Sequence, residues 1–405
     1  MNTIKLNTIG ILSGGGNAGG GGGGVTINNQ EKSVDITENG TTEVVADAGF
    51  TGLSKVVVNT NVASSGGNTP APSGGAVNFK DYDGTILHSY TKDAFLALAE
   101  MPTLPTRQGL TCQGWNWALE DAKAYVTENG KLDVGATYIT DDGKTRLYIK
   151  VEGERKEFPF KFSIDKVNSL VIDWGDGVTE SVSGSGSLNV SHTYDAVGDY
   201  VISLEVAEGA KLTFANSSSE SIVSKPYSVM LRKVEFGEAV VIGSYAFNAC
   251  YSLSSVVISN SVTYIDGYAF RYCYSLSSVV IPNSVTHIDG SAFQSCMSLS
   301  SVVIPNSVVY LGGYAFNACY SLSSVVIPNR VTKISSRAFQ SCSSVAYFDF
   351  RQHTSVPTLS NTSAFTSIAS DCKIVVPDAL YDEWIAATNW STYASNIVKA
   401  SEFNG

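Results

Sequence analysis

One feature constrains this chain more than any other: from residue 231 onward, it repeats itself at a fixed interval. The 23-residue step is kept by the cysteines Cys250, Cys273, Cys296, Cys319 and Cys342 and by the phenylalanines Phe247, Phe270, Phe293, Phe316 and Phe339. A fixed period of this length indicates a solenoid, in which each repeat is one coil stacked on its neighbours. A single coil cannot bury its apolar side chains alone, so the stack must supply the core.

The apolar positions inside a repeat predict which side chains face inward. In one coil these positions are Leu276, Val279, Ile281, Val285, Ile288, Phe293 and Cys296, and the neighbouring coils carry their counterparts one step away. We expect one short strand per coil, for example at residues 279–281. The repeat cysteines would form a straight ladder with a spacing of about 4.8 Å. We therefore expect buried hydrophobic thiols there, not disulfides and not a zinc site.

The wording of the repeat is also specific. Ser-Leu-Ser-Ser-Val-Val-Ile-Pro-Asn-Ser-Val, with Ala-Phe and Cys at fixed offsets, resembles the BspA-type leucine-rich repeats of bacterial and viral surface proteins. The resemblance covers about residues 231–377. It implies a leucine-rich-repeat solenoid, which we place at 225–377, followed by a helical cap at 378–405 containing Trp384 and Trp390. A cap is physically required because the last coil would otherwise expose its apolar edge.

The remainder of the chain predicts a mostly β, multidomain protein. Residues 1–62 read as an N-terminal attachment segment with a glycine tract and a β-hairpin module turning at Asn39-Gly40. Residues 63–76 are a Gly/Ser/Pro linker. Residues 77–160 predict a small α+β domain with helices near 92–100 and 119–126, and residues 161–224 predict a β-sandwich.

Within the predicted sandwich, three short motifs stand in order. They are the Trp-Gly-Asp-Gly turn at 174–177, His-x-Tyr at 192–194 and Gly-x-Tyr at 198–200. Together they resemble the PKD-type immunoglobulin-like domain. The resemblance implies a small sandwich that serves as a spacer or as a carbohydrate-surface module.

The coils differ from one another at a few offsets, while the strand text stays nearly constant. Tyr264, for example, has the counterparts His287, Tyr310 and Lys333. We take the variable positions as a candidate recognition surface: Tyr251, Tyr264, Tyr268, Arg271, Tyr274, His287, Met297, Tyr310, Tyr314 and Tyr320. Tyrosine mixed with small polar residues is typical of binding surfaces, and exposed aromatic rows suit stacking on sugars. The alternative is simple surface drift, which usually yields Lys, Glu and Asp, and these are scarce here.

Charge and composition exclude several classes of partner. The net charge of −11 repels a phosphate backbone, so we expect no nucleic-acid partner. No run of apolar residues reaches the roughly 18 residues of a membrane span, so we expect no membrane insertion.

Catalytic motifs are weak. The segment Asp81-Tyr-Asp83-Gly84-Thr85 matches the start of haloacid-dehalogenase-type phosphatases, but the apolar strand expected before it is weak at Val77-Asn-Phe-Lys80, and the domain ends too soon for the Rossmann-like fold of that family. We interpret it as a turn, and we interpret Asp173 and Asp176 as turn residues more readily than as calcium ligands. His192 fits a structural role in the sandwich. We therefore predict no enzyme, no cofactor and no metal site.

The order of the modules suggests the biological setting of the protein. Residues 77–224 resemble modules of tail or adhesion proteins of gut bacteriophages, and residues 1–12 lack the apolar segment of a signal peptide. Our hypothesis is a virion tail fibre or receptor-binding protein. Its N-terminus would contact other tail or baseplate proteins and its solenoid a bacterial surface glycan or protein. The glycine tract would suit close packing in a homotrimer. The alternative is a BspA-type bacterial cell-surface adhesin, and a glycan-degrading enzyme is the third class.

Overall fold

The computed structural model describes residues 76–215 and 221–403, except the side chains of 128 and 129, together with the backbone of four short strands between residues 25 and 60. The chain divides into two compact units, Met1–Pro70 and Ala71–Gly405. In the first unit, β1 (Val25–Ile27) pairs antiparallel with β2 (Gln30–Lys32), and β3 (Gly40–Val44) with β4 (Val56–Thr60).

The predicted hairpin turn at Asn39-Gly40 lies only partly within the described residues: Gly40 is the first residue of β3, opposite Thr60, and Asn39 lies outside them. The strand that was expected to precede this turn, the glycine tract and residues 63–75 of the linker lie outside the described residues.

The second unit begins with a four-stranded sheet and two helices, which we call the cover module (residues 76–140). Its elements are β5 (Val77–Lys80), β6 (Ile86–Tyr90), α1 (Lys92–Leu96), β7 (Leu110–Trp115), α2 (Leu119–Asn129) and β8 (Leu132–Thr140). The strand order is β6-β5-β8-β7, with β5 and β8 parallel. Phe79, Phe95 and Tyr125 are fully or almost fully buried in its core. Helix α2 ends where Gly130 takes a left-handed conformation and its N–H donates to Val126 O.

Helix α1 is shorter than predicted. It begins after Thr91, whose side chain accepts a hydrogen bond from the N–H of Ala94, and it ends at Leu96 rather than near residue 100. Phe95 is its one buried side chain. A single turn is enough to place that ring in the core, and Leu98 and Met101 pack against the same core from outside the helix.

Two sheets follow, and their pairing moves the predicted boundary at residue 160. The strands are β9 (Thr145–Val151), β10 (Glu157–Ile164), β11 (Leu170–Asp173), β12 (Thr179–Val182), β13 (Gly186–Thr193), β14 (Gly198–Val206) and β15 (Leu212–Phe214). Strand β9 pairs with β14, and β10 pairs with β13 along its whole length. The change of architecture therefore comes between Thr140 and Thr145. Phe160 meets Trp174 edge to face at 5.7 Å, so the two sheets share a core.

The solenoid coils extend both sheets. Each coil except the last provides a front strand and a shorter back strand, where the sequence predicted one strand per coil. The front strands are β16 (Leu231–Glu235), β18 (Ser255–Val257), β20 (Ser278–Val280), β22 (Ser301–Val303), β24 (Ser324–Val326), β26 (Tyr347–Asp349) and β28 (Lys373–Val376). The back strands are β17 (Val240–Ile242), β19 (Tyr264–Ile265), β21 (His287–Ile288), β23 (Tyr310–Leu311), β25 (Lys333–Ile334) and β27 (Thr358–Leu359). Strand β9 pairs with β16, and β15 pairs with β17, so the two preceding sheets seal the first coil.

The predicted inward ladders are confirmed. Leu276, Val279, Ile281, Val285, Ile288, Phe293 and Cys296 are each at most 1% exposed. The phenylalanines stack with ring centroids 5.3 to 5.4 Å apart between Phe247 and Phe316. All seven cysteines are free, and the thiols of the ladder donate to carbonyls of the preceding coil, as Cys296 does to Phe270 O at 3.2 Å. The core is continuous from Leu147 to Ile397.

The C-terminal cap is only partly helical. It contains 3₁₀ turns at Asp378–Leu380, Trp390–Tyr393 and Ala400–Glu402, the short helix α3 (Tyr381–Ala386) and the strand β29 (Ile397–Lys399), which pairs with β28. Within residues 378–403, the predicted helical cap therefore contains one short α-helix, and the remaining elements are 3₁₀ turns and a strand. Trp384 and Trp390 are buried against Phe350, which closes the last coil.

Candidate binding surface

The variable positions form three rows that run along the solenoid axis. The strand row stands on the back strands and contains Tyr264, His287, Tyr310 and Lys333. The corner row, Tyr245, Tyr268, Ser291, Tyr314 and Arg337, occupies a corner where the backbone is left-handed in every coil, with φ between 57° and 62°. The turn row, Tyr251, Tyr274, Met297 and Tyr320, precedes the front strands.

The rows expose large side chains that a solenoid does not need for its own stability. Tyr264, Tyr310, Tyr320 and Met297 are 47, 39, 42 and 37% exposed. A left-handed backbone is uncommon for residues other than glycine. At the corner it is fixed by hydrogen bonds to the next coil, such as that from Tyr268 N–H to Gly290 O at 3.0 Å. The backbone is thus set by the frame, and the side chain at that corner is free to vary.

The rings of each row stack on one another. Tyr245 and Tyr268 are parallel at 4.5 Å, Tyr251 and Tyr274 stack at 5.1 Å, and Tyr264 and His287 stack at 4.6 Å. The neighbouring coil therefore occupies ring faces that we expected to be available for sugars. Within these three stacked pairs, ring edges and polar side-chain atoms are left for contact with a target. These suit hydrogen bonding and edge contacts more than face stacking.

Arg271 supports the surface from within. Its guanidinium lies 4.2 Å from the ring centroid of Tyr272 and 5.4 Å from that of Tyr268, and it donates to the Tyr272 hydroxyl. Tyr272 in turn contacts Tyr274 at 5.9 Å, so it joins the corner row to the turn row. The comparison of the coils with one another did not include Tyr272 among the candidate residues. Tyr272 nevertheless lies between Arg271 and Tyr274, and its counterparts change from Ala249 to Ser295.

The structure does not join all the predicted residues into one patch. The corner and turn rows meet around Tyr272, whereas within residues 221–403 the strand row makes ring contacts only inside itself. His287 contacts Tyr310 at 5.8 Å, and its Nδ1 is hydrogen-bonded with the hydroxyl of Thr286. Partial burial, with Tyr251 and Tyr272 nearby, raises the pKa of Tyr274, so this phenol remains neutral at physiological pH.

The front face of the solenoid is occupied by the chain itself. We define it as the outward side chains of the front strands, a serine column that includes Ser278 and a valine column that includes Val280. The cover module lies on it through these hydrogen bonds: Asn260 N–H to Gln113 Oε1 (2.8 Å), Ser278 Oγ to Tyr82 O (3.3 Å), Asn116 Nδ2 to Ile281 O (3.3 Å), Lys80 Nζ to Ser301 Oγ (3.0 Å) and Tyr125 OH to Asp349 Oδ2 (3.0 Å). Val280 is only 5% exposed as a result. The constant sequence of the front strands thus has a packing partner, whereas the strand row and the turn row keep exposed side chains such as Tyr310 and Tyr320; the tyrosines of the corner row are half-buried, and its Ser291 is buried.

The acidic motifs have structural partners. Asp81 is buried, and its carboxylate accepts a hydrogen bond from Arg107 Nε at 2.7 Å. Its backbone carbonyl accepts a hydrogen bond from the N–H of Gly84 in a tight turn. Asp173 and Asp176 accept the N–H groups of Gly175 and Val178, which is the predicted turn role.

His192 lies on the ring of Trp174 at 5.0 Å, and its Nε2 lies 2.6 Å from Asp176 Oδ2. These contacts give His192 the structural role that the sequence suggested. Within the described residues, no group of three or more His, Cys, Asp and Glu side chains is arranged to hold a metal ion. No helix in that part of the chain is long and apolar enough to cross a membrane.

Comparison with protein families matches residues 240–370 to the BspA type leucine rich repeat region, in six copies. The solenoid is therefore built of BspA-type repeats. Similar solved structures include a leucine rich repeat protein of T. pallidum, with 28% identity and a TM-score of 0.27 over 36% of this chain and 76% of that one.

Two further structures are a leucine-rich repeat protein from Bacteroides ovatus (17% identity, TM-score 0.33, 48% of this chain, 52% of that chain) and the pneumococcal vaccine antigen PcpA (18% identity, TM-score 0.34, 48% of this chain, 46% of that chain). The chain thus spans about half the length of these two proteins. A search of the curated proteins finds no match.

Proposed function

We propose that this protein is an adhesion-type surface protein, which binds its target through the variable rows of the solenoid. The observation that carries the proposal is the division of the repeats into two kinds of surface. The front face is packed against the cover module, while Tyr264, Tyr310 and Tyr320 remain exposed on the rows. Exposed tyrosines on a rigid frame supply contact area with little loss of conformational entropy.

Binding, and not catalysis, is the activity that we propose. The carboxylate that sequence comparison offers as a catalytic group, Asp81, is held by Arg107 inside a turn. The target would be a bacterial surface glycan or protein, met by ring edges and hydroxyls. We propose no cofactor, metal, nucleic-acid or membrane partner for this activity.

Adsorption to candidate host cells tests the proposal, and the full chain is required because the sheets before residue 215 seal the first coil. We expect the triple variant Tyr251→Ala, Tyr274→Ala and Tyr320→Ala to lose at least about tenfold in adsorption, since tyrosines are frequent hot spots. The matched control is Val167→Ala, Val178→Ala and Val197→Ala, which trims three exposed side chains elsewhere. Equal adsorption by both variants would discard this surface.

The biological setting is a separate proposal. We propose a virion tail fibre or receptor-binding protein whose N-terminal unit contacts other tail or baseplate proteins, with a homotrimer as the candidate assembly. In this setting the PKD-like region would act as a spacer. Its support is the resemblance of residues 77–224 to phage modules.

The bacterial cell-surface adhesin is the alternative, and the BspA-type repeats support it equally. Antibody detection separates the two. A signal in purified particles supports the virion, and a signal confined to cell envelopes supports the adhesin.

A further inference from the structure

A groove opens at the C-terminal end of the strand row. It lies between the last back strand, β27, and the cap segment 387–390, and its volume is about 600 Å³. The preceding back strands pair at the constant 23-residue step of the repeat, as His287 does with Tyr310. Lys333 instead pairs with Thr358, so this coil is longer than the ones before it, and residues of its back strands and of the cap together line the groove.

The groove continues the strand row directly. Lys333 is the fourth member of the row and also lines the groove, and Thr358 follows it in register. A linear ligand lying along Tyr264, His287 and Tyr310 would therefore run into the groove at Lys333. The row and the groove form one path along the solenoid axis.

The lining of the groove has a definite chemical character. Lys333 is the one charged side chain among its described residues, and no acidic partner for it lies within residues 76–215 and 221–403. The other polar residues that line the groove are Thr358, Ser360 and Thr388, which carry hydroxyls, and Asn389, which carries an amide. Asn389 uses its Nδ2 to bind Leu359 O, which leaves its amide oxygen as an acceptor. A free cation beside several hydroxyls fits a carboxylate that carries further hydroxyl groups.

We propose that the groove binds a carboxylate-bearing sugar residue, with its carboxylate on Lys333 and the glycan chain extending along the strand row. The proposal rests on the proposed function and names the ligand class of one part of its surface. An acidic peptide fits less well. The lining combines one cation with hydroxyl and amide groups, which match the carboxylate and hydroxyl groups of an acidic sugar.

Ligand-observed NMR on the full chain tests this with methyl β-D-glucuronide and its neutral analogue methyl β-D-glucoside. We expect the glucuronide to bind at least about tenfold more tightly, since a charge-assisted hydrogen bond is lost with the neutral sugar. Added salt should weaken only the glucuronide. The Lys333→Met variant should bind both sugars equally weakly, and Thr358→Val should weaken both.

The matched control is Arg330→Met, which removes a positive charge three residues away that does not line the groove. This variant should retain the preference for the glucuronide. Equal binding of the two sugars to the unchanged protein, an unaltered preference in Lys333→Met, or acetate binding as tightly as the glucuronide would each overturn the proposal. These outcomes are independent of cell adsorption by the Tyr251, Tyr274 and Tyr320 variant, so the groove and the proposed function fail separately.

Discussion

The buried His353 makes the stability of the C-terminal end depend on pH. Its side chain is 4% exposed and packs against Phe350 and Trp384, with ring centroids 5.3 and 6.0 Å away. Burial lowers the pKa of His353 from its ordinary 6.5 to about 4. This outweighs a hydrogen bond at the Ile327 backbone and the charge of Asp349, which both raise the pKa.

The direction of the effect follows from these two pKa values. Because the folded-state pKa of His353 lies below the unfolded one, the unfolded chain takes up the proton first as the pH falls. The stability that the neutral imidazole provides is complete above pH 6.5 and is lost progressively as the pH falls to about 4. The difference between the two pKa values corresponds to about 3 kcal/mol of unfolding free energy.

The perturbation that isolates this contribution is His353→Leu, which removes the titrating group and keeps an apolar side chain. Urea unfolding of the full chain, followed by tryptophan fluorescence, gives the free energy of unfolding at about pH 7 and about pH 4.5. We expect the difference between the unchanged protein and the variant to move by about 2–3 kcal/mol in favour of the variant on acidification. Gln352→Leu, at the adjacent buried side chain, which carries no titrating group, is the control and should change the unfolding free energy by the same amount at both pH values. If the difference between the unchanged protein and His353→Leu is the same at both pH values, His353 is not buried as a neutral group.

Two further predictions concern the cover module and the thiols. Gly135→Ala would place a Cβ 2.6 Å from Cγ1 of Val280, so we expect a loss of about 1–3 kcal/mol in unfolding free energy. Val280→Ala should restore part of that loss in the double variant, and strictly additive losses would contradict the contact. Ellman's reagent should modify only the exposed Cys112 of the native protein, because the other six cysteines are buried and burial raises the pKa of the Cys250 thiol to about 12. Reaction of more than one thiol without denaturant would mean that the ladder or Cys372 is accessible.

The periodic part of the fold was predictable from the sequence because its contacts repeat. Phe293 meets Phe270 and Phe316 in the same way, so a single 23-residue step encodes the ladder, the burial of Cys296 and the absence of cystines there. The candidate rows follow from the same comparison of coils. A position that varies between otherwise equal coils is one where packing of the solenoid does not require a particular side chain.

The contacts between different modules could not be predicted in this way. The pairing of β9 with β16 joins residues about 85 positions apart in segments that share no pattern. The sequence suggested that the constant serines and valines of the front strands serve only the solenoid itself. Nothing in the local sequence reveals that Gly135 lies against Val280. The stacking of Tyr245 on Tyr268 likewise depends on side-chain orientation, which the 23-residue step does not determine.

The cover module has a consequence for how this protein can change its length. Repeat arrays ordinarily gain and lose whole units, because each coil contacts only its neighbours. Here the cover module makes hydrogen bonds to Asn260, Ser301 and Asp349, which lie in different coils. These contacts form together only if the number of coils between them is fixed. Removing one coil would displace Asp349 from Tyr125 by about 4.8 Å, one strand spacing. The cover module therefore fixes the number of coils between Asn260 and Asp349. Duplication of coils can lengthen the solenoid without disrupting these hydrogen bonds only beyond Asp349.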